Sequence, residues 1–191
     1  MKIFTQLYDK ALYWSGHRNA RWYLGGLSFA ESSFFPVPPD VMLAPMVLAA
    51  PKKGLSLALL TTLASVAGGV AGWGIGYFGF EAVQGLLQSA GYMDDYARAN
   101  EWFAQWGFWA VLVAGFSPIP YKIFTIAAGS LAMPLPVFIV ASAVGRGARF
   151  FLVATLIMAG GEKMAGKLRQ HIELLGWITI VAAVAGYLWL R

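Results

Sequence analysis

The chain alternates between long apolar stretches and short polar segments. The apolar stretches cover residues 22–50, 55–80, 103–133, 137–160 and 172–190. A helix that crosses the hydrocarbon core of a bilayer needs about 20 consecutive apolar residues. Residues 55–80, 137–160 and 172–190 are long enough and continuous, so each of them predicts a transmembrane helix. Residues 81–105 mix polar and aromatic side chains and predict a surface helix and loop.

The other two stretches are interrupted by prolines near their centres. Residues 34–40 read FFPVPPD and residues 116–122 read FSPIPYK. Proline ends a helix, so residues 22–50 would form two arms of about ten residues each, half of what a crossing needs. We therefore predict two re-entrant hairpins, at about residues 22–50 and 103–133, that enter the membrane and return to the same side. The predicted tips contain Pro36, Pro38, Pro39, Pro118 and Pro120.

The two broken stretches also resemble copies of one unit. A shift of 82 positions, 122 minus 40, aligns Asp40 with Lys122 and places residues 55–80 over the span that begins at residue 137. An odd number of crossings separates the hairpins, so they would enter from opposite faces, as in many transporters. The alternative is chance similarity between two Pro-x-Pro triplets. The predicted fold is an all-α polytopic membrane protein, an inverted repeat of a re-entrant helical hairpin plus a transmembrane helix, with an extra C-terminal transmembrane helix.

Composition and loop charge agree with a membrane location. Hydrophobic residues make up 59% of the 191 positions and charged residues 12%, whereas about 25% are charged in soluble domains. If both hairpins are re-entrant, nine lysines and arginines, in residues 1–21, 52–53 and 163–169, lie on one side and two on the other. The positive-inside rule then places the N-terminus in the cytoplasm and the C-terminus outside. Residues 1–21 predict an amphipathic cytoplasmic segment, residues 22–160 the membrane domain, and residues 161–191 a cytoplasmic loop and the last transmembrane helix.

Motifs of catalysis and metal binding are absent from the sequence. The chain has no cysteine, and its two histidines, His17 and His171, lie far apart. It contains neither His-Glu-x-x-His nor Gly-x-Ser-x-Gly, and no acidic pair suited to a metal. We therefore expect no enzyme activity, no metal site and no cofactor. Because the excess positive charge flanks apolar stretches, it indicates topology and not nucleic-acid binding.

Five charged residues lie inside the apolar stretches between residues 22 and 160, namely Glu31, Asp40, Lys122, Arg146 and Arg149. A charge at the centre of a membrane helix costs about 2.5 to 3.5 kcal/mol, so such residues pair or line a wet cavity. Arg146 and Arg149 share one helix face and could fork onto one anion. Together with Lys122 they are candidates for binding an anionic substrate. The alternative is that they pair with the carboxylates and only hold the helices together.

The two carboxylates are candidates for proton coupling. A buried acidic side chain favours its neutral form unless a cation offsets the loss of hydration, so Glu31 or Asp40 could carry a proton. Since only ten positions separate Glu31 from Arg21, an interfacial location is an alternative for Glu31.

Three glycines recur at every fourth position of the first predicted span, at Gly68, Gly72 and Gly76. Small residues at this spacing let two helix backbones approach closely, so we predict a helix-packing role.

The segments FAESSFFPVPPDVMLAP and GFSPIPYKIFTIAAGSLAMPLPVF resemble the DedA-like family of membrane proteins, with its VTT or SNARE-associated domain, and most closely its YqaA branch. The resemblance covers about residues 22–160. It implies paired re-entrant hairpins and the movement of lipids, undecaprenyl phosphate or phospholipids, across the bacterial inner membrane, with proton coupling as an option. By this resemblance Glu31 and Asp40 match essential acidic residues of the family.

The second tip departs from the family pattern. The main branch has two arginines that flank a single proline there, whereas this chain has Ser117, Tyr121 and Lys122. Lys122 is a candidate for one arginine role, and Arg146 or Arg149 for the other.

The leading hypothesis is a transporter or flippase of an anionic lipid. The alternatives are a proton-coupled carrier of a small ion that supports the membrane potential, and a membrane-organising factor without transport. The expected partners are lipids with an anionic phosphate head group. Protons and a second copy of the chain are further candidates.

Overall fold

The computed structural model describes residues 17–35, 37–89, 93–117 and 120–161. These residues form helices and connecting segments and contain no β-strand, so the predicted all-α class is confirmed. The helices are α1 (Ala20–Ser33), α2 (Asp40–Ala49), α3 (Gly54–Ser89), α4 (Met93–Phe116), α5 (Tyr121–Ser130) and α6 (Leu135–Gly161), with a short 3₁₀ turn at Pro51–Lys53. The predicted amphipathic segment up to residue 16, the C-terminal helix, Pro36 and Pro118 lie outside the described residues.

Two of the described helices are long and apolar enough to cross a membrane, over Pro51–Glu81 and Leu135–Gly161. They correspond to the predicted spans 55–80 and 137–160. The predicted surface helix and loop at 81–105 falls on the end of α3, which continues to Ser89, and on the beginning of α4, which starts at Met93. The segment EAVQGLLQS contains no proline and mostly residues with good helix propensity, so nothing in it ends the helix.

Both broken stretches are interrupted where the prolines predict. α1 ends at Ser33 and α2 begins at Asp40, directly after Pro39; α5 begins directly after Pro120. Proline fits the start of a helix, where its missing donor costs nothing. The arms have 14 and 10 residues in the first stretch but 24 and 10 in the second. The first arm of the second stretch is therefore much longer than predicted.

Helix α3 lies between α1 and α5 and contacts both along one stripe of glycines. A Cβ on Gly68 would collide with the carbonyl oxygen of Phe29 on α1, and a Cβ on Gly76 with that of Ile126 on α5. Gly72 lies between these positions, close to both helices. Because these residues lack a side chain, the three backbones approach closely enough to place the ends of α1 and α5 beside each other.

Two apolar cores flank the centre of the described structure. One is formed by α1, α2, the beginning of α3 and the second half of α6, with Leu24, Leu43 and Phe150 fully buried. The other is formed by α4, α5 and the first half of α6, with Phe138 fully buried. Along α6, Arg146 lies between the residues of the two cores, so a charged side chain separates them.

Candidate functional site

Arg146 of α6 and Glu31 of α1 form a buried ion pair. The Arg146 Nη2 atom donates to Glu31 Oε2, and only 2% of the arginine side chain is exposed. Its Nε atom donates to Ser65 Oγ on α3 at 2.6 Å. Ser32 supports the pair, since its hydroxyl donates to Glu31 at 3.0 Å and lies 2.7 Å from the Ser65 hydroxyl. The positive charge of Arg146 is therefore neutralised by Glu31, and its guanidinium is hydrogen-bonded within the protein.

Two aromatic rings cover the faces of the Arg146 guanidinium. The Cζ atom lies 4.9 Å from the ring centroid of Tyr121 on α5 and 4.7 Å from that of Phe150 on α6. Arginine over an aromatic face is attracted by the ring quadrupole, more strongly when water is excluded. The Tyr121 hydroxyl is itself bonded to the Ser142 hydroxyl on α6.

Arg149, one turn further along α6, pairs with Asp40 at the start of α2. Arg149 Nη2 lies 2.6 Å from Asp40 Oδ2, and Nη1 donates to the Ser117 carbonyl at 2.8 Å. Arg149 is 15% exposed, whereas Asp40 is almost fully buried. Among the described residues, the second carboxylate oxygen of Asp40, Oδ1, has no hydrogen-bond partner. Asp40 is thus satisfied on one oxygen only.

Lys122 is the second residue of α5, directly after the interruption of the second broken stretch. Its Nζ atom is 3.4 Å from the carbonyl oxygen of Phe34, a long and weak hydrogen bond. Thr125, one turn along α5, donates to the Lys122 carbonyl at 2.9 Å and to the Ser32 carbonyl at 3.2 Å. The start of α5 is therefore bonded to the end of α1.

Lys122 and Arg149 contact equivalent places in the two broken stretches. Phe34 is the residue directly after α1, and Ser117 the residue directly after α4. The carbonyls at a helix end have no partner within the helix and carry partial negative charge. Each cation donates to one of these carbonyls, so each interrupted helix end is stabilised by a positive charge from α5 or α6.

The structure brings the five charged residues predicted from the sequence together, and the two arginines pair with the two carboxylates, as in the alternative given above. Arg146 and Arg149 share a face of α6, but each donates to its own carboxylate. Arg146 donates to Glu31, and Arg149 donates to Asp40. Three cations with two carboxylates leave a formal surplus of one positive charge. Of the predicted tip prolines, Pro38 and Pro39 directly precede α2, and Pro120 directly precedes α5.

The sequence analysis missed the hydroxyl groups of this site. Ser28 and Ser32 lie four positions apart on α1, and Thr61 and Ser65 four apart on α3. Ser28 donates to the Thr61 carbonyl at 2.8 Å, next to the Ser32–Ser65 contact. Hydroxyl residues repeated every fourth position on two apolar helices are the signal that could have identified this interface.

Among the residues that the structure describes, no group of three or more histidines, cysteines or acidic residues could hold a metal ion. What the cluster offers chemically is positive charge beside buried carboxylates, a setting for an anion and a proton.

Residues 37–159 match the family model of the VTT domain. The chain belongs to the VTT-domain (DedA) family. This confirms the family resemblance and, with the two apolar helices, makes it a membrane protein. No solved structure matches the chain.

Three relatives of this VTT-domain protein are informative. It is 49% identical to an uncharacterized protein of Haemophilus influenzae and 47% identical to one of Histophilus somni, in both cases over the full length of both chains. It is also 33% identical, over 94 residues, to undecaprenyl phosphate transporter A of Staphylococcus aureus. That match covers 47% of this chain and 46% of the transporter.

Proposed function

We propose that this protein is a transporter, and specifically a flippase, of lipids with an anionic phosphate head group. The observation that carries the proposal is the cluster where the two broken stretches meet, in which two arginines pair with two carboxylates and a third cation, Lys122, contacts only a backbone carbonyl among the described residues. The partial similarity to a transporter of undecaprenyl phosphate supports this lipid or a phospholipid as the substrate. The proposed location is a bacterial inner membrane, with the N-terminus in the cytoplasm and the C-terminus outside, and with the broken stretches as re-entrant hairpins.

Arg149 and Lys122 are the proposed head-group ligands. Both are partly exposed and both hold backbone carbonyls at helix ends. A phosphate has three strong acceptor oxygens and negative charge. It would therefore form stronger hydrogen bonds with the two cations than these carbonyls do, and would replace them.

Asp40 is the proposed site of proton coupling, and Glu31 is the second candidate. In the structure the Asp40 carboxylate accepts a hydrogen bond from the Arg149 guanidinium, at the place where the phosphate would bind. Protonation of Asp40 would remove the competing anion and release the guanidinium. Proton uptake and head-group binding would then favour each other.

A second function, organisation of the membrane without transport, is favoured by the pairing itself. Both buried carboxylates are bonded to arginines from another helix, which is what a purely helix-specifying role requires.

The test uses the purified protein in vesicles that contain fluorescent undecaprenyl phosphate, with the outer leaflet quenched chemically. We expect the wild type to make the inner-leaflet probe accessible and the folded double variant Lys122→Gln with Arg149→Gln to lose this activity. Arg21→Gln is the matched control, because Arg21 is an exposed arginine that donates to Ser56. Wild-type movement in the double variant would contradict the head-group site.

The same vesicles separate the other functions. A current that follows a proton gradient without movement of the lipid would indicate a small-ion carrier. Absence of both activities in a folded wild-type protein would favour the membrane-organising role.

A further inference from the structure

Arg146 differs from the other two cations of the cluster in how completely the protein encloses it. The Arg146 guanidinium donates hydrogen bonds to Glu31 and Ser65, and it lies over the rings of Tyr121 and Phe150. Only 2% of the side chain is exposed, compared with 15% for Arg149. A head group could reach Arg146 only by displacing a carboxylate or an aromatic ring.

The contacts of Arg146 meet at the start of α5. Tyr121 is the first residue of that helix and Lys122 the second. One face of the Tyr121 ring is held by the Arg146 guanidinium, and the Tyr121 hydroxyl is bonded to Ser142 of α6. The ring is fully buried between these partners. Since neighbouring residues share one backbone, whatever fixes Tyr121 also fixes the starting point of the Lys122 side chain.

Arg146 also connects the start of α5 to the rest of the cluster. Through Glu31 and Ser65 it is bonded to α1 and α3, and its own backbone belongs to α6. The Lys122 side chain contacts the end of α1 by a single long hydrogen bond, which is too weak to hold it alone, and the Thr125 hydroxyl bonds α5 to α1 one turn later. At the start of the helix itself, the position of Lys122 therefore depends on its more strongly bonded neighbour Tyr121.

We propose that Arg146 is a positioning residue that holds Tyr121, and through it Lys122, in place, while Lys122 and Arg149 contact the ligand. This inference rests on the proposed function for the identity of the ligand, a lipid phosphate. It assigns the three cations two different roles: an enclosed one that sets geometry and two accessible ones that bind. Arginine suits this role better than lysine, which has neither a planar face for two rings nor a forked edge for two acceptors.

The first test measures position without any transport. The chain has no native cysteine, so spin labels can be attached at Ile123→Cys on α5 and Val144→Cys on α6, both exposed. A reference pair uses Leu63→Cys on α3 with Val144→Cys. In the Arg146→Lys background we expect the 123–144 distance distribution to broaden and the 63–144 distribution to stay unchanged. Arg21→Lys is the matched control and should change neither.

Each other outcome of this test contradicts the inference. Broadening of both distributions would mean that Arg146 only stabilises the bundle. No change in either would mean that it does not hold α5. If Arg146→Lys does not fold, Tyr121→Phe and Ser142→Ala are used in its place, since each removes only the hydroxyl contact of the same arrangement.

The second test asks whether the effect on the ligand passes through Lys122. With fluorescent undecaprenyl phosphate as the probe, Tyr121→Phe is expected to raise the half-saturating lipid concentration about fivefold and to leave the maximal rate nearly unchanged. In a Lys122→Gln background the same substitution should have no further effect. Additive effects of the two substitutions would contradict the inference, because residues that act through one another are not additive.

The two tests also separate this inference from the proposed function. A wild-type protein that does not move the probe lipid would contradict the function, and the spin-label comparison would still decide whether Arg146 positions α5.

Discussion

The carboxylate of Asp40 lies 2.6 Å from the guanidinium of Arg149, although 109 positions separate the two residues in the chain. Asp40 begins α2, and Arg149 lies within α6. The same guanidinium also donates to the Ser117 carbonyl at the end of α4. One side chain therefore joins the interruptions of both broken stretches, and the proposed lipid site lies at a contact that also stabilises the bundle.

Neutralising one partner of this pair should cost more stability than neutralising both. Arg149→Gln leaves a buried carboxylate without its cation, so we expect the free energy of unfolding to fall by about 3 kcal/mol. Asp40→Asn with Arg149→Gln leaves two neutral amides and should recover most of that loss while lipid movement stays absent. Unfolding by titration of a denaturing detergent measures the first effect, and the vesicle assay the second. A double variant that is less stable than either single variant would contradict this account.

The glycines of α3 should differ sharply in their tolerance of alanine. A Cβ on Gly76 would collide with the backbone of α5, so Gly76→Ala should lower the free energy of unfolding by about 1 to 3 kcal/mol. Gly74, two positions earlier, has nothing within 4 Å of a built Cβ. Gly74→Ala is therefore the control, and we expect unchanged or higher stability because alanine favours the helix. Equal effects of the two substitutions would show that α3 and α5 are not in close contact.

Ser65 should be the most sensitive hydroxyl of α3. It accepts from Arg146 at 2.6 Å and lies 2.7 Å from Ser32. Ser65→Ala leaves a buried Arg146 donor without a partner, so we expect the free energy of unfolding to drop by about 1 to 3 kcal/mol. Ser56→Ala removes an exposed hydroxyl from the same helix and should stay within about 0.5 kcal/mol of the wild type. Thermal unfolding followed by tryptophan fluorescence would give the comparison, and a harmless Ser65→Ala would rule out this hydrogen bond.

The proposed topology predicts which loops are accessible from each side. Lys52 is exposed in the turn between α2 and α3, and a re-entrant first stretch would place it in the cytoplasm. Lys52→Cys should therefore react with a membrane-impermeant maleimide only after the cells are opened. Asn100→Cys, exposed on α4, is the opposite control and should react in intact cells. Labelling of Lys52→Cys from outside would mean that residues 22–50 cross the membrane fully.

Much of the helical layout could be predicted from local patterns. Where the prediction differs from the structure, the physical reason is local as well. The apolar runs and the prolines placed the breaks after Ser33 and Phe116 correctly, since a proline acts on the turn it belongs to. The predicted end of the first span at residue 80 agrees with the apolar part of α3, which reaches Glu81, but the helix itself continues to Ser89. Polar residues with good helix propensity continue a helix past the apolar part.

The sequence by itself determined that the chain is helical and belongs in a membrane, where its helices break, and which charged residues are out of place in apolar surroundings. Those features follow from composition and from contacts within a few positions. Only the tertiary structure decided that Arg146 pairs with Glu31 and Arg149 with Asp40, and that Tyr121 and Phe150 enclose one arginine and not the other. Helical periodicity fixes the face on which a side chain lies, whereas its partner is set by which other helices pack there. Here that packing is set by glycine contacts between residues distant in sequence, Gly68 with Phe29 and Gly76 with Ile126.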